Sequence, residues 1–422
     1  MHPTLLLCAF LFMVFTYPQA WAQDREGPQA GLGEQLASYG IQPHVQFTSL
    51  SMKNLDTGPR PYSFGNSGDL YIGADVDLAT LSGLDGAALH FEQTIFILDN
   101  GTGQPTGGEW QGAVGSYFGG APLHNDIASN QLSLLTYKQK WLDGQLDLHV
   151  GRTNGRRYFY IYNCETGVTC NDPILDASSG MLPPPFGAWG GYLKYQVNPR
   201  FYVHAGAFES NPVDYLKKRK GLDFSTDDAS GTSFLVGIGS KPGDNTTQYE
   251  LNAYFNSSSQ VDPLTGASDH GTAGGFFKFR QTLWHGGQQG MQVFGSLSAA
   301  ADDKQPFSHF AEAGLTYLAP FDRAQDKLNL KASYLQVNDH QLQFQQRLRT
   351  AAGGDPELGK RHVYAVEANG HFALTHNVAI EPSIQYIINP DNFYNPGATQ
   401  LSNNRFVVGL LVVLDVGSVL GL

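Results

Sequence analysis

Residues 156–164 bring two arginines and several aromatic side chains together in one short stretch. Arg156 and Arg157 are followed directly by Tyr158, Phe159 and Tyr160. Guanidinium groups donate several hydrogen bonds and would bond hydroxyls, while aromatic faces would stack on the apolar faces of a pyranose ring. This composition suits the recognition of a small polyhydroxylated solute. The same aromatic side chains could instead anchor the segment against a protein wall, and both interpretations stay open.

Catalytic chemistry has little support. The sequence contains neither a G-x-S-x-G elbow nor an H-E-x-x-H metal site. Asp75 and Asp77 would point the same way from one strand, but nothing else marks a glycosidase site. Gly101 and Gly103 lie in a predicted loop, without the strand-to-helix context of a phosphate site. We therefore predict no enzyme activity, no cofactor and no metal site.

The elements that position these side chains are predicted to be strands. From Val378 to Ile388 apolar residues take the even positions, and mostly polar residues take the odd ones. Because successive side chains of a strand point to opposite faces, this strand has one apolar and one polar face. A soluble sandwich contains such strands too, but here the pattern recurs along almost the whole chain. Sixteen segments share it: 43–53, 69–79, 86–98, 129–142, 144–152, 188–198, 199–209, 231–241, 246–256, 271–284, 290–301, 309–319, 327–337, 360–374, 376–389 and 402–415.

These segments lie near the ~9–11 residues that a tilted strand needs to cross a bilayer. The connections between them alternate in length. The long ones are 54–68, 99–128, 153–187, 210–230, 257–270, 338–359 and 390–401. The others are short turns, such as Asp143-Gly144 and Asn198-Pro199. Long extracellular loops and short periplasmic turns are typical of outer-membrane barrels. We predict an all-β transmembrane antiparallel barrel of about sixteen strands, with its termini at the short-turn rim.

Strand parity predicts which side chains face the lumen. In the second strand Leu70, Ile72 and the residues in phase with them face lipid, which leaves the aspartates inward. The same rule places the following residues inside: Asp69, Asp75, Asp77, His90, Glu92, Lys194, Gln196, Glu250, Asn252, Lys278, Arg280, Glu312, Asn329, Lys331, Glu367, His371 and Glu381. Any one of them could simply be a wall group paired with a neighbour. Together they indicate a hydrated passage, because a dry core could not hold so many ionisable groups. The loop 153–187 is the predicted constriction, since wide barrels are narrowed by a loop that folds inward.

The N-terminus has the form of a secretory leader. Leu5 to Phe15 are apolar, and Ala20-Trp21-Ala22 before Gln23 has the small-x-small form of a signal peptidase site. No other run approaches the ~18 apolar residues of a membrane helix. The predicted organisation is a signal peptide at 1–22, a periplasmic segment at 23–42, a barrel domain at 43–416 and a short C-terminal extension at 417–422.

Removal of the leader leaves two cysteines, Cys164 and Cys170. Two nearby cysteines in an exported protein favour a local disulfide over free thiols. Neither a histidine nor a further cysteine lies near them, which argues against a metal site. The formal net charge is −12 and the basic run 217–220 is isolated, so nucleic acid is not an expected partner. This run is more simply a solvated patch or one that faces lipid headgroups.

Several segments resemble one family over essentially the whole mature length. They are DLYIGADVDLATLSGLDGAALHFEQ, VGRTNGRRYF, NCETGVTCNDP, WGGYLKYQVNPRFYVHAGAFESNP, EPSIQYIINPDNFYNP and NNRFVVGL. In this order they resemble the carbohydrate-selective porins (OprB-type) of Gram-negative outer membranes. The resemblance implies a sixteen-stranded barrel, often trimeric, that passes small sugars by diffusion through a charged constriction. Arg152 matches the family's glycine-arginine pair, and Cys164 and Cys170 match a cysteine-bounded inward loop. Such barrels usually end on an aromatic residue, whereas this chain continues to Leu422.

These considerations give one set of candidate residues for the constriction and for sugar binding: Glu92, Arg152, Arg156, Arg157, Tyr158, Tyr160, Lys194, Glu250 and Glu381. The expected partners are small sugars, outer-membrane lipids and the barrel-assembly machinery, and a homotrimer is one expected state. The main alternative is an outer-membrane enzyme or adhesin on a barrel scaffold.

Overall fold

Sixteen antiparallel strands close into a barrel in which consecutive strands pair and β1 pairs with β16. The structure is a computed structural model that describes residues 31–55, 59–97, 107–119, 130–159, 172–181, 183–210, 229–241 and 247–422. The closed barrel leaves no unpaired sheet edge, as a β-protein in lipid requires. The predicted fold class is therefore confirmed.

The strands lie close to their predicted positions. Their bounds are β1 (Ile41–Asn54), β2 (Phe64–Asp77), β3 (Ala87–Phe96), β4 (Asn130–Trp141), β5 (Leu146–Thr153), β6 (Ala188–Gln196), β7 (Phe201–Ser210), β8 (Gly231–Ser240), β9 (Gln248–Val261), β10 (Ser268–Gly286), β11 (Gln289–Ala300), β12 (Phe307–Leu318), β13 (Lys327–Val337), β14 (His362–Ala373), β15 (Val378–Ile388) and β16 (Arg405–Asp415). The described helices are α1 (Leu32–Ser38), α2 (Leu78–Ser82), α3 (Gly107–Val114), α4 (Arg156–Phe159), α5 (Pro173–Ser178), α6 (Asp339–Ala351) and α7 (Val416–Leu420). Among the described residues, no helix has the length and apolar character needed to cross a membrane.

The first and last described helices meet at one rim of the barrel. The backbone N–H of Gly33, in α1, donates to the carbonyl of Gly421 at 2.9 Å. β1 begins and β16 ends at the rim that also carries the short turns 142–145 and 287–288. Both helices therefore lie at the short-turn rim.

At the short-turn rim, Asp77 departs from its predicted place on the inner face of β2. β2 ends at Asp77, and its side chain accepts a hydrogen bond from the N–H of Ala79, which caps α2. A carboxylate commonly accepts such a bond at a helix N-terminus. Asp77 and Leu78 thus belong to the turn rather than to the alternating wall pattern.

The two faces of the wall separate sharply by exposure. Val236, Leu251 and Leu297 are 57%, 56% and 59% exposed on the outer face. On the inner face Lys278 and Glu367 are 0% and 1% exposed. Ionised groups on the lipid face would cost a few kcal/mol at the bilayer midplane, whereas inward groups can pair with one another. This confirms the parity rule for the strands.

β5 contains a backbone distortion that depends on glycine. Gly151 has a φ of +129°, and a Cβ placed there would lie 2.2 Å from the carbonyl oxygen of Leu135 on β4. We expect Gly151→Ala to lower the stability of the barrel by about 1–3 kcal/mol, because the strained backbone would have to shift. The measurement is the temperature at which the folded form disappears from an unheated detergent gel. Gly191→Ala is the matched control, since its nearest neighbour would be the His149 carbonyl oxygen at 3.6 Å. Equal melting of the two variants would contradict this role of Gly151.

A constriction held by an inward loop

Helix α5, from the long connection between β5 and β6, lies inside the barrel. Asp172 precedes it and accepts hydrogen bonds from the N–H groups of Ile174 and Leu175 at 3.1 and 3.2 Å. The same carboxylate lies 3.2 Å from the ammonium of Lys278 on β10 and accepts a bond from Ser298 on β11. Asp172 and Lys278 are both 0% exposed. One buried ion pair therefore caps the helix and fixes it to the inner wall.

The other end of α5 is bonded to the strands on the opposite side of β10. Ser178 shares a hydrogen bond with the Tyr254 hydroxyl, and its carbonyl accepts from Asn256 at 3.1 Å. Ser233, on β8, donates to the carbonyl of Ser179. Helix α5 and the residues that flank it thus pack against inward residues of β8 to β11.

Arg156 and Arg152 stabilise the loop instead of lining the passage. Arg156 is 4% exposed, and its guanidinium donates to the Met181 carbonyl at 2.7 and 3.1 Å while pairing with Asp176. Arg152 is 1% exposed and donates to the Leu132 carbonyl at 2.6 Å. Neither guanidinium is accessible to a solute, because both side chains are buried. Both were predicted at the constriction, and the structure places them among the buried contacts of the loop.

The two aromatic residues of α4, Tyr158 and Phe159, anchor this loop. Tyr158 stacks on Tyr192 with ring centroids 4.4 Å apart, and its hydroxyl lies 2.8 Å from that of Thr153. Phe159 is 0% exposed and stacks on His204 at 4.4 Å. These contacts favour the anchoring interpretation for both side chains. The predicted candidates Tyr160, Cys164 and Cys170, and the cleavage residues Ala22 and Gln23, lie outside the described residues.

A second segment, 107–119, also packs inside, and the sequence analysis missed it. Trp110 is 0% exposed, and the ring of Tyr117 meets Phe307 edge-on at 5.4 Å. Asp391 accepts bonds from Ser116 at 2.9 Å and from the N–H of Tyr117 at 2.8 Å. Burial raises the pKa of Asp391 to about 6 from 3.8, so its contribution to stability is greatest below pH 3.8 and is lost as the pH rises to about 6. In the sequence, Trp110 and Val114 stand one helical turn apart, and this spacing is the pattern that indicates a buried helix face.

Accessible charged side chains lie on the part of the wall formed by β1 to β6. The side chains of Asp75, Lys138 and Lys194 are 47%, 34% and 32% exposed. Arg157, which follows the buried Arg156, is 38% exposed and reaches across to Glu92 with 3.4 Å between Nη2 and Oε1. The loop thus presents one guanidinium to a carboxylate of β3, which lies two strands from β5 in the same part of the wall.

Each cation in this passage has a carboxylate nearby. Lys138 Nζ lies 4.0 Å from Asp75, and Lys194 Nζ lies 3.9 Å from Asp147. With the pair of Arg157 and Glu92, three positive side chains face three negative ones. Such balanced polar linings can bond hydroxyl groups without a strong preference for one sign of ion.

Glu250 and Glu381 behave as wall groups. Glu250 is 2% exposed and accepts bonds from Tyr202 and Asn252, both at 2.8 Å. Glu381 is bonded to His371 at 2.8 Å. Both face inward as predicted, but their oxygens are engaged by neighbouring side chains. These two residues fit the alternative stated for every inward charged residue, namely that it is a wall group paired with a neighbour.

Three residues of the passage were missing from the predicted set: His44, Lys138 and Asp147. Each lies on a predicted strand, in the same parity class as its inward neighbours. The parity rule that identified Glu92 therefore could have found them. His44 and Lys138 stand out because their side chains are 33% and 34% exposed, and Asp147 because it lies 3.9 Å from the exposed Lys194. The alternation along one strand gives neither exposure nor partners.

Comparison with known proteins agrees with this architecture. The model of the family described as "Carbohydrate-selective porin, OprB family" matches residues 62–413. The chain belongs to this family. This porin is 24% identical to Porin B of Pseudomonas aeruginosa, over 92% of this chain and 90% of that protein. It is 23% identical to a putative porin, QuiX, of Acinetobacter baylyi, over 94% of each chain.

A solved structure of Pseudomonas putida OprB has the same fold. It aligns with a TM-score of 0.74 and 20% identity, over 90% of this chain and 95% of that chain. The protein is therefore a porin of the Gram-negative outer membrane, a sugar-preferring channel and not an enzyme. This confirms the family resemblance and decides against the enzyme alternative.

Proposed function

We propose that small sugars cross this porin through the passage along β1 to β6, and that Arg157 and Glu92 form its narrowest polar gate. The observation that carries the proposal is the 3.4 Å distance between Arg157 Nη2 and Glu92 Oε1, with the Arg157 side chain still 38% exposed. Arg157 can donate to sugar hydroxyls and Glu92 can accept from them. Diffusion is passive, since the site offers hydrogen bonds and no chemical step.

The remaining candidate residues position this gate. Arg156 and Tyr158 flank Arg157 and tie the loop to α5 and to β6. Lys194 and Asp147 continue the polar lining toward the short-turn rim, since Lys194 lies near the end of β6. In this proposal a sugar exchanges hydrogen bonds with successive charge pairs as it moves along the wall.

Liposome swelling tests the proposed preference for neutral solutes. We expect glucose to enter porin-containing liposomes faster than gluconate or glucosamine, which match it in size but carry opposite charges. A balanced lining gives a charged solute no net attraction to offset its desolvation in the narrow passage. Equal rates for the three solutes, or faster entry of either charged one, would contradict the proposal.

We also propose several features that follow from the family resemblance and from the sequence. The mature chain begins at Gln23, after a signal peptide at 1–22, and continues as a periplasmic segment to residue 42. The barrel domain spans 43–416 and is followed by an extension at 417–422. Homotrimers form, and the barrel-assembly machinery inserts them among outer-membrane lipids. Cys164 and Cys170 are bonded in the mature protein, so mass spectrometry of the non-reduced chain would find no free thiol.

A further inference from the structure

Two strands bring two imidazoles and a carboxylate together on the accessible side of the lumen. His44 on β1, His90 on β3 and Glu92 on β3 each offer one ligand atom, and these atoms all lie within 4.8 Å of one another. His44 Nε2 lies 3.5 Å from Glu92 Oε2, and the two imidazole rings stack with centroids 5.7 Å apart. Two histidines and one carboxylate are a common ligand set for Zn²⁺.

The register of the sheet creates this cluster. His44 pairs with Gly73 on β2, and Gly73 pairs with Glu92 on β3. His44, Gly73 and Glu92 therefore lie in one row across three adjacent strands. Gly73 has no side chain, and His44 occupies the space above it. A Cβ at Gly73 would lie 2.4 Å from His44 Nε2. The glycine therefore lets His44 reach over β2 to the side chains of β3.

His90 is oriented as a metal ligand would be. Its Nδ1 is hydrogen-bonded to the carboxylate of Asp75, which pairs with it across β2 and β3. Because a carboxylate accepts, Nδ1 carries the proton and Nε2 keeps its lone pair. Nε2 is buried and has no hydrogen-bond partner in the described part of the chain. Carboxylate–histidine pairs of this kind fix the tautomer and raise the basicity of metal-bound imidazoles.

The carboxylate of Glu92 can serve the gate and a metal at once. Oε2 faces His44, while Oε1 faces Arg157 at 3.4 Å. The second cation near the cluster, Lys138, lies 4.0 Å from Asp75. Both cations are thus matched by a carboxylate.

We propose that His44, His90 and Glu92 bind one Zn²⁺ ion in the lumen, with Asp75 orienting His90 and water completing the coordination. Tetrahedral zinc holds its ligand atoms about 3.3 Å apart, so the widest separation must close by about 1.5 Å. His44 can provide that movement, since its side chain is 33% exposed. This site lies beside the gate and does not depend on the sugar preference proposed above.

Equilibrium dialysis of the untagged, detergent-solubilised porin against Zn²⁺ tests the site. We expect one zinc ion per wild-type chain, and at least tenfold weaker binding in both His44→Ala and His90→Ala. Asp75→Asn should weaken binding about 10–100-fold, as is typical when a residue that orients a metal-bound histidine is replaced. His340→Ala is the matched control, because this 32% exposed histidine bonds Asp262 at 2.9 Å outside the three-residue cluster. It should bind zinc as wild type does, and Mg²⁺ should not compete.

Single-channel recording locates the bound ion in the passage. Zinc should lower the conductance of the wild type and of His340→Ala, because a divalent cation beside Arg157 narrows the passage and repels cations. It should leave His90→Ala unaffected. The proposal fails if the wild type binds no stoichiometric zinc or if either imidazole variant binds it normally. It also fails if bound zinc leaves the conductance unchanged.

Discussion

Replacing Arg157 with alanine should widen the gate and weaken sugar binding without loosening the loop. Arg157 is 38% exposed and contacts Glu92, whereas the buried Arg156 carries the bonds that hold α5. The loss of a charged hydrogen-bond donor worth about 1.5 kcal/mol would weaken sugar block of the ion current roughly tenfold. Single-channel conductance should rise at the same time, because the long side chain of Arg157 no longer projects into the passage.

Two variants serve as references for this result. Arg200→Ala removes an exposed arginine from the short turn between β6 and β7, away from the gate, and should leave conductance and sugar block unchanged. Arg156→Ala should instead give unstable currents, because it leaves the buried carboxylate of Asp176 without its paired guanidinium. If Arg157→Ala and Arg200→Ala were indistinguishable in both readouts, the gate would have to lie elsewhere.

The second large effect is expected at the buried pair of Asp172 and Lys278. Lys278→Met leaves the 0% exposed carboxylate of Asp172 without its cation. Breaking a buried pair on one side typically costs about 3–5 kcal/mol. We expect α5 to leave the wall, with a higher and noisier single-channel conductance and faster proteolysis of the loop.

A double variant separates loss of the pair from a general packing defect. In Lys278→Met with Asp172→Asn neither position of the pair carries a charge, and the amide oxygen can still accept from the N–H groups of Ile174 and Leu175. The double variant should regain most of the low, steady single-channel conductance of the wild type. A single variant as quiet as the wild type, or a double variant noisier than the single one, would contradict the anchoring role of this pair.

The fold was predictable because the bilayer imposes a local rule. Alternation along each strand follows from the pleat, so segments such as 376–389 identified both the strand and its lipid face. Observed strand bounds, for example Val378–Ile388, differ from the predicted ones by a few residues at most. Parity also placed Glu92 and Glu250 on the same inner wall.

The site was less predictable because exposure depends on what the inward loops cover. Glu250 is 2% exposed and bonded to Tyr202 and Asn252, whereas Glu92 is 7% exposed and contacts the accessible guanidinium of Arg157. No one-strand pattern distinguishes the two. Arg156 and Arg157 are neighbours in sequence, yet only the contact with Met181 shows that the first is structural. The meeting of His44 with Glu92 across Gly73 required the register of three strands.

The most direct test of a sugar-preferring channel is the single-channel current of the wild-type porin titrated with glucose. Sugar that occupies the passage beside Arg157 and Glu92 excludes ions, so the current should fall with increasing glucose and then saturate. Sorbitol should act similarly, while gluconate at equal osmolarity should block less. An ion current that is unaffected by glucose up to high concentration would contradict the account.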